Sequence, residues 1–285
     1  MKKKLLLAAL ITAVILGVLA MIPVLFRDTL LEKTKKTINK NLNVNIGFED
    51  FRLSLIRNFP KASLSLKNVI VTGKDEFAGD TLLHVESLST RFGLFDLFTL
   101  DNLTLNELIL DRPTLQLLVN AEEKANWDIF PPDEAEETEK PKEEGSFGME
   151  LSKIVVNQAR LIYFDQSLPL SVGAENINLN LKGKMYGSNT QLQVDGNAEE
   201  FNLSYDSVSY ISSIRLQLQS LLDINFDAAD FRFGESELLV NNLPLELSGN
   251  FSLPGDSMWF DLRFNSSVSE LSHFLNLVPP DYAHY

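Results

Sequence analysis

The stretch LTLNELIL, Leu103 to Leu110, decides how this chain is read. Leu103 and Leu105 lie two apart, as do Leu108 and Leu110, which is the period of a strand with one buried face. Between the pairs, Asn106 and Glu107 supply one residue too many for strict alternation. The same pattern recurs at Leu64-Leu66-Val69-Val71, Leu83-Val85-Leu88-Thr90 and Ile154-Val156-Ala159-Leu161. Looser copies are Val172-Ala174-Ile177-Leu179 and Leu238-Val240-Leu243-Leu245. A two-residue hairpin would absorb the extra residue, but it favours Asn-Gly-type turns with positive φ. The intervening pairs are Lys67-Asn68, Glu86-Ser87, Asn106-Glu107, Asn157-Gln158, Glu175-Asn176 and Asn241-Asn242, none with glycine. A β-bulge leaves all four apolar residues on one face, so bulged, bent strands are expected at all six places.

Working outward, plain alternation appears at Phe51, Leu53 and Leu55 and again at Leu115, Leu117 and Val119. The gaps between copies are too short for helical crossovers, which predicts a long antiparallel sheet with one apolar and one polar face. An open, curved sheet and a closed β-sandwich show the same alternation, and the pattern does not separate them. His84, between Leu83 and Val85, is expected on the polar face. Trp127 closes the first run of strands and most simply seals the end of the sheet.

Residues 1–27 read as a transmembrane anchor. From Leu5 to Phe26 there are 22 residues without a charge, flanked by Lys2, Lys3, Lys4 and Arg27. At 1.5 Å per residue they make a helix of about 33 Å, long enough to cross a hydrocarbon core of roughly 30 Å. A cleaved signal peptide has a shorter apolar core, so an uncleaved anchor is preferred. Lysines on both sides of the span leave its orientation undecided by charge. Residues 28–42 place Leu31, Thr34, Ile38 and Leu42 on one stripe, with Lys33, Lys35, Lys36 and Lys40 elsewhere, as in a juxtamembrane amphipathic helix.

The body then divides into a first β block (43–130), an acidic linker (131–145) and a second β block (146–285), which stops at Tyr285 without a closing element and reads as truncated. The linker, PPDEAEETEKPKEEG, has seven acidic residues, two lysines, three prolines and no aromatic residue. It offers no apolar surface to repay ordering, and deleting Glu134–Glu144 should leave both blocks folded.

Composition narrows the function. The 285 residues carry 39 acidic and 25 basic side chains, a net charge of −14, which argues against a nucleic-acid partner. Cysteine is absent and histidine occurs three times, which disfavours thiol catalysis and the usual zinc and iron–sulfur sites. No phosphate loop, dinucleotide fingerprint or HExxH motif is present. Gly234-Glu-Ser-Glu-Leu238 lacks the second glycine of a serine elbow, and Asp223, Asp227 and Asp230 lack the spacing of a calcium loop. No catalytic residue, metal site or cofactor is assigned, and the chain is not read as an enzyme.

An N-terminal span leading into a basic helix, then Arg57-Asn-Phe-Pro-Lys-Ala-Ser-Leu-Ser-Leu66, the repeated bulged strands, Leu103–Pro113 and Asn126-Trp127 before a linker resembles the N-terminal region of AsmA-like proteins of the bacterial envelope. Lys124-Ala125 stands where that family usually has a glycine before Asn-Trp. The resemblance is best over 1–130 and fair over 146–280. It implies a single-pass inner-membrane protein with its body in the periplasm, similar to the chorein-type bridges whose curved sheets form an apolar groove for phospholipid. It also implies a part in supplying or maintaining outer-membrane lipid. On this reading the lipid-facing residues are Phe51, Leu53, Leu55, Leu64, Leu66, Val69, Val71, Leu83, Val85, Leu88, Leu103, Leu105, Leu108, Leu110, Leu115, Leu117 and Val119. The alternative is a scaffold that recruits envelope proteins through its sheet edges.

Overall fold

A computed structural model describes residues 43–54, 61–93, 104–129, 150–185, 188–225, 227–252 and 259–268. The anchor, the juxtamembrane helix, the acidic linker, and Leu55 and Leu103 all lie outside the described residues. Among those described there is no α-helix, and hence none long and apolar enough to cross a membrane.

Twelve strands form one sheet. The first block gives β1 (Val44–Gly47), β2 (Asp50–Ser54), β3 (Lys61–Gly73), β4 (Thr81–Gly93) and β5 (Thr104–Val119). The second gives β6 (Glu150–Asp165), β7 (Leu170–Met185), β8 (Asn189–Tyr205), β9 (Val208–Asn225), β10 (Asp230–Val240), β11 (Leu243–Ser252) and β12 (Trp259–Asn265). From β3 onward the spatial order is the order in sequence, while β1 and β2 both pair with β3. Contacts between elements, beyond marginal ones, join only strands that neighbour each other in the sheet. Among the described residues the sheet is therefore a single open layer: no second layer packs on it, and β12 does not close back onto β3. A closed sandwich is not what these residues build.

One pairing corrects the antiparallel expectation. β5 and β6 run parallel, in register from Thr104 opposite Glu150 to Val119 opposite Asp165. A parallel pair needs a connection that returns the length of the strand, commonly a helix. Here residues 120–149 make the return, of which 120–129 are described and contain no helix. On the polar face, Glu107 of β5 accepts from Arg91 of β4 and Lys153 of β6, both at 2.9 Å, tying the junction together.

The extra residues of the repeated pattern resolve in two ways. In β5 the residue skipped between Glu107 (opposite Arg91) and Leu105 (opposite Phe92) is Asn106. Asn68, Gln158 and Asn176, at three of the six expected places, lie inside strands with φ between 47° and 52°, as do Arg112, Glu200 and Ser213, which the pattern did not mark. They fall abreast of one another: Lys67 pairs Ser87 and Val69 pairs Val85, leaving Asn68 beside Glu86, and the same level continues through Arg112 and Gln158. Because neighbouring strands each insert a residue at the same level, the apolar face keeps its phase on both sides of the crease. Asn241 is the exception. With Asn242 it forms a two-residue turn between Val240 and Leu243, not a bulge, and takes φ 54° without any glycine. Asparagine tolerates the left-handed region because its short amide bonds locally.

Asparagines also hold the crease. Asn178 Oδ1 accepts from Gln158 N (3.0 Å) while its Nδ2 donates to Asn176 O (3.1 Å). Asn202 repeats the device, accepting from Ser213 N (2.8 Å) and donating to Glu200 O. Asn241 Oδ1 accepts from Arg215 N at 2.8 Å. Each clamp satisfies a backbone group that the interrupted ladder leaves free. Pro113, which has no N–H to give, follows Arg112 directly at this level, where a missing donor costs least.

Candidate functional site

The candidate site is the apolar face. Its register rows run uninterrupted across the sheet. One row passes Leu66, Leu88, Leu110, Val156, Leu179 and Gly196. Another passes Val71, Leu83, Leu115, Leu161 and Ala174. Farther on, Leu192 stands opposite Leu222, which faces Phe233, while Ile224 faces Phe231 and Phe231 faces Phe251. Eleven strands in sequence at about 4.8 Å spacing make a strip about 50 Å long.

Most of these side chains are half-buried by their neighbours along and across the strands, as an uncovered layer dictates. The densest packing is Leu192, Val194 and Ile224, with Leu181, Leu218, Leu222 and Phe231 against them. Polar atoms on this face are answered locally. Ser220 and Ser236 hydroxyls bond each other at 2.7 Å, and Thr90 Oγ1 donates to Glu107 O at 2.9 Å. The strip therefore offers apolar contact with few unmet hydrogen-bonding groups, which suits hydrocarbon and nothing that needs polar recognition.

The expected site residues that are described share the register rows of this face, Leu55 and Leu103 lying outside the described residues. Phe51 and Leu53 pair with Leu66 and Leu64. Val69 and Val71 stand opposite Val85 and Leu83. Leu88, Leu108, Leu110, Leu115 and Leu117 continue the rows, with Val119 at the end of β5 and Leu105 in register with Phe92. His84 is out of phase with them, opposite Ile70 and Thr114. The lipid-facing residues named from the sequence all belong to the first block. The structure carries the face through β6 to β12, and the signal was present in the copies at Ile154–Leu161 and Leu238–Leu245.

Along one edge of the strip, where the strands end, the β4 pairing stops at the level of Leu115 while β5 continues. Asn126 fills the place of the missing neighbour. Its N donates to Leu118 O, its Oδ1 accepts from Leu118 N, and its Nδ2 donates to Gln116 O, each within 3.0 Å. Asn126 is buried and works as a one-residue strand, while Trp127 lies 6.1 Å from Tyr163, centroid to centroid. The Asn-Trp signature is thus a seal in which the asparagine closes the ladder and the tryptophan covers the end.

Asp165, the charged residue in these rows, sits beside that seal and is buried. Burial alone pushes its carboxyl up, but hydrogen bonds from Ser167 Oγ (2.7 Å), Leu168 N (3.0 Å), Tyr163 OH (3.1 Å) and Ser167 N (2.9 Å) outweigh it, and its pKa falls below the ordinary value. Burial raises the Tyr163 hydroxyl in turn, aided by its bond to Asp165. A lowered carboxylate stabilises the fold at pH above its unfolded value of about 3.9, and that contribution is lost as pH falls through the lower folded value. Melting temperatures of the chain and of Asp165→Asn should therefore converge as pH drops below about 4, with the unsubstituted chain losing more. Parallel pH profiles would show that the turn does not hold the charge.

The AsmA family model matches residues 1–227. The chain belongs to the AsmA family. No curated protein and no solved structure matches it at a significant level. The AsmA match spans the first β block, the connection and β6 to β9 of the second block, and it ends in the turn after β9. Family membership and an open β-sheet fit a lipid-transport or envelope role.

Proposed function

We propose that this AsmA-family protein binds phospholipid by laying acyl chains along the apolar strip, and that it serves outer-membrane lipid homeostasis from a single-pass anchor in the inner membrane with its body in the periplasm. One observation carries the reading: an apolar face that stays in phase across every strand of an uncovered layer. Acyl chains gain by leaving water at roughly 0.8 kcal/mol per buried CH₂, so a strip of this length binds them without any headgroup-specific pocket.

A phospholipid with a photoactivatable acyl chain tests it directly. Crosslinks should map to Val156, Leu161, Leu179 and Val194, and should avoid out-of-phase neighbours such as Ile162 and Gln193. Equal labelling of both faces, or no labelling, overturns the proposal. The second reading, a scaffold that recruits envelope proteins, draws its support from β12. This seven-residue strand at the end of the sheet has six exposed positions, Phe260 and Phe264 among them, which suits strand addition.

A further inference from the structure

Six exposed large hydrophobic side chains lie together at one end of the strands. Trp127, Phe164, Leu168, Tyr205, Val208 and Tyr210 are between 37% and 56% exposed, and all belong to the turn after β5 or to the β6–β7 and β8–β9 turns and their flanks. These turns are level with one another: Val119 pairs Asp165, Asp165 pairs Leu170, Leu170 pairs Tyr205, and Tyr205 pairs Val208. They are also bonded together, Gln166 N to Val119 O at 2.9 Å and Asp206 N to Pro169 O at 3.0 Å. At the other end, the β9–β10 turn presents Asp227 and Ala228, and Trp259 and Phe260 at the start of β12 are the exposed aromatics there, fewer and on the last strand alone.

We infer that this aromatic lip rests on the surface of a zwitterionic lipid bilayer. Trp and Tyr with an apolar body and a polar tip are the residues that settle at headgroup level. Asn43 N donates to Ile129 O at 2.7 Å, so the chain enters the sheet at this lip, two residues from Trp127. The uncharged run ends at Phe26, seventeen steps before Asn43, a reach of at most about 58 Å. The far lip lies a further strand length away, about 50 Å for β5 to β9. Glu122, Glu123, Asp128 and Asp206 around the lip select against an anionic surface and leave a zwitterionic one. The inference rests on the anchor part of the proposed function and not on the strip.

The chain has no cysteine, so single cysteines can be spin-labelled cleanly. Leu168→Cys and Ala228→Cys, each in the full chain in phosphatidylcholine nanodiscs, should differ several-fold in collision with a water-soluble nickel complex, with position 168 the protected one. Adding Tyr205→Ser and Tyr210→Ser should expose the label at 168. Equal accessibility at the two positions, or protection at 228 alone, overturns the inference, as does a chain that fails to enter the disc. Leu110→Asp, designed to empty the strip, should leave the label at 168 protected, which separates failure of the lip from failure of the strip.

Discussion

Removing Pro131–Gly145 should unfold the junction between β5 and β6. The parallel register obliges the chain to leave β5 at Val119 and begin β6 at Glu150, opposite Thr104. Part of the return is made by the time Asn126 has paired with Leu118 and Ile129 with Asn43. From there the chain must still travel most of the length of β5, about 40 Å at strand rise. Twenty residues separate Ile129 from Glu150, and fully extended they reach about 70 Å. With Pro131–Gly145 removed, five residues remain and reach about 20 Å. The pairing cannot then form, and a dozen cross-strand positions at 0.2–1 kcal/mol each are lost, on the order of 5 kcal/mol. The expected result is slow hydrogen exchange at Leu108–Leu110 and Ile154–Val156 becoming fast, with loss of a single cooperative melt. A Gly-Ser replacement of equal length should restore both. Wild-type protection in the deletion would refute the parallel pair. Deleting Glu134–Glu144 leaves a reach of about 34 Å, too short for the junction as well, so the two blocks would then have to fold as separate sheets.

Leu110→Asp should abolish lipid binding while the protein stays folded. Leu110 lies mid-strip, between Leu88 and Val156, and is half-buried. With an acyl chain across it, the new carboxylate would lose its water without gaining a partner, at a cost of several kcal/mol, more than one stretch of hydrocarbon contact returns. Without lipid, the same carboxylate faces solvent, because among the described residues no second layer covers the face. The fold should lose no more than about 1–3 kcal/mol, within the ordinary range for a substitution. Ser89→Asp, one position along from Leu88 and on the other face, is the control and should change neither quantity much. Lipid recovered per mole of protein, measured beside melting temperature, decides between outcomes. An unfolded Leu110→Asp chain would mean that the face is covered, and a folded one that retains lipid would mean that the strip is not where lipid lies.

Much of this was legible in the residues because a strand's period is short and strict. Leu64, Leu66, Val69 and Val71 could share a face only if Lys67-Asn68 absorbed one residue, and Asn68 does so at φ 48°. The same logic found the bulges at Gln158 and Asn176. It missed the turn at Asn241-Asn242, since a bulge and a tight turn consume the same extra residue and differ only in whether the chain then reverses. The parallel pair was not legible at all. Alternation records which face a side chain takes and is blind to strand direction, and the connection that sets the direction carries no periodicity. Asn126 was noted for its neighbour Trp127, yet its three backbone bonds depend on β4 ending early, a fact about another strand.

The crease constrains how such a chain changes length over generations. A strand that gains or loses one residue away from the crease turns every side chain beyond that point over, so losing Gln158 would present Ala159, Leu161 and Tyr163 to water and Arg160 and Ile162 to the strip. Its neighbours would hold their own extra residue with nothing abreast of it. Single-codon insertions and deletions within strands should accordingly be purged, whereas paired ones, or gains and losses of whole hairpins at the β12 end, preserve the parity. Length in this architecture is inherited in units of two residues along the strand and two strands across the sheet.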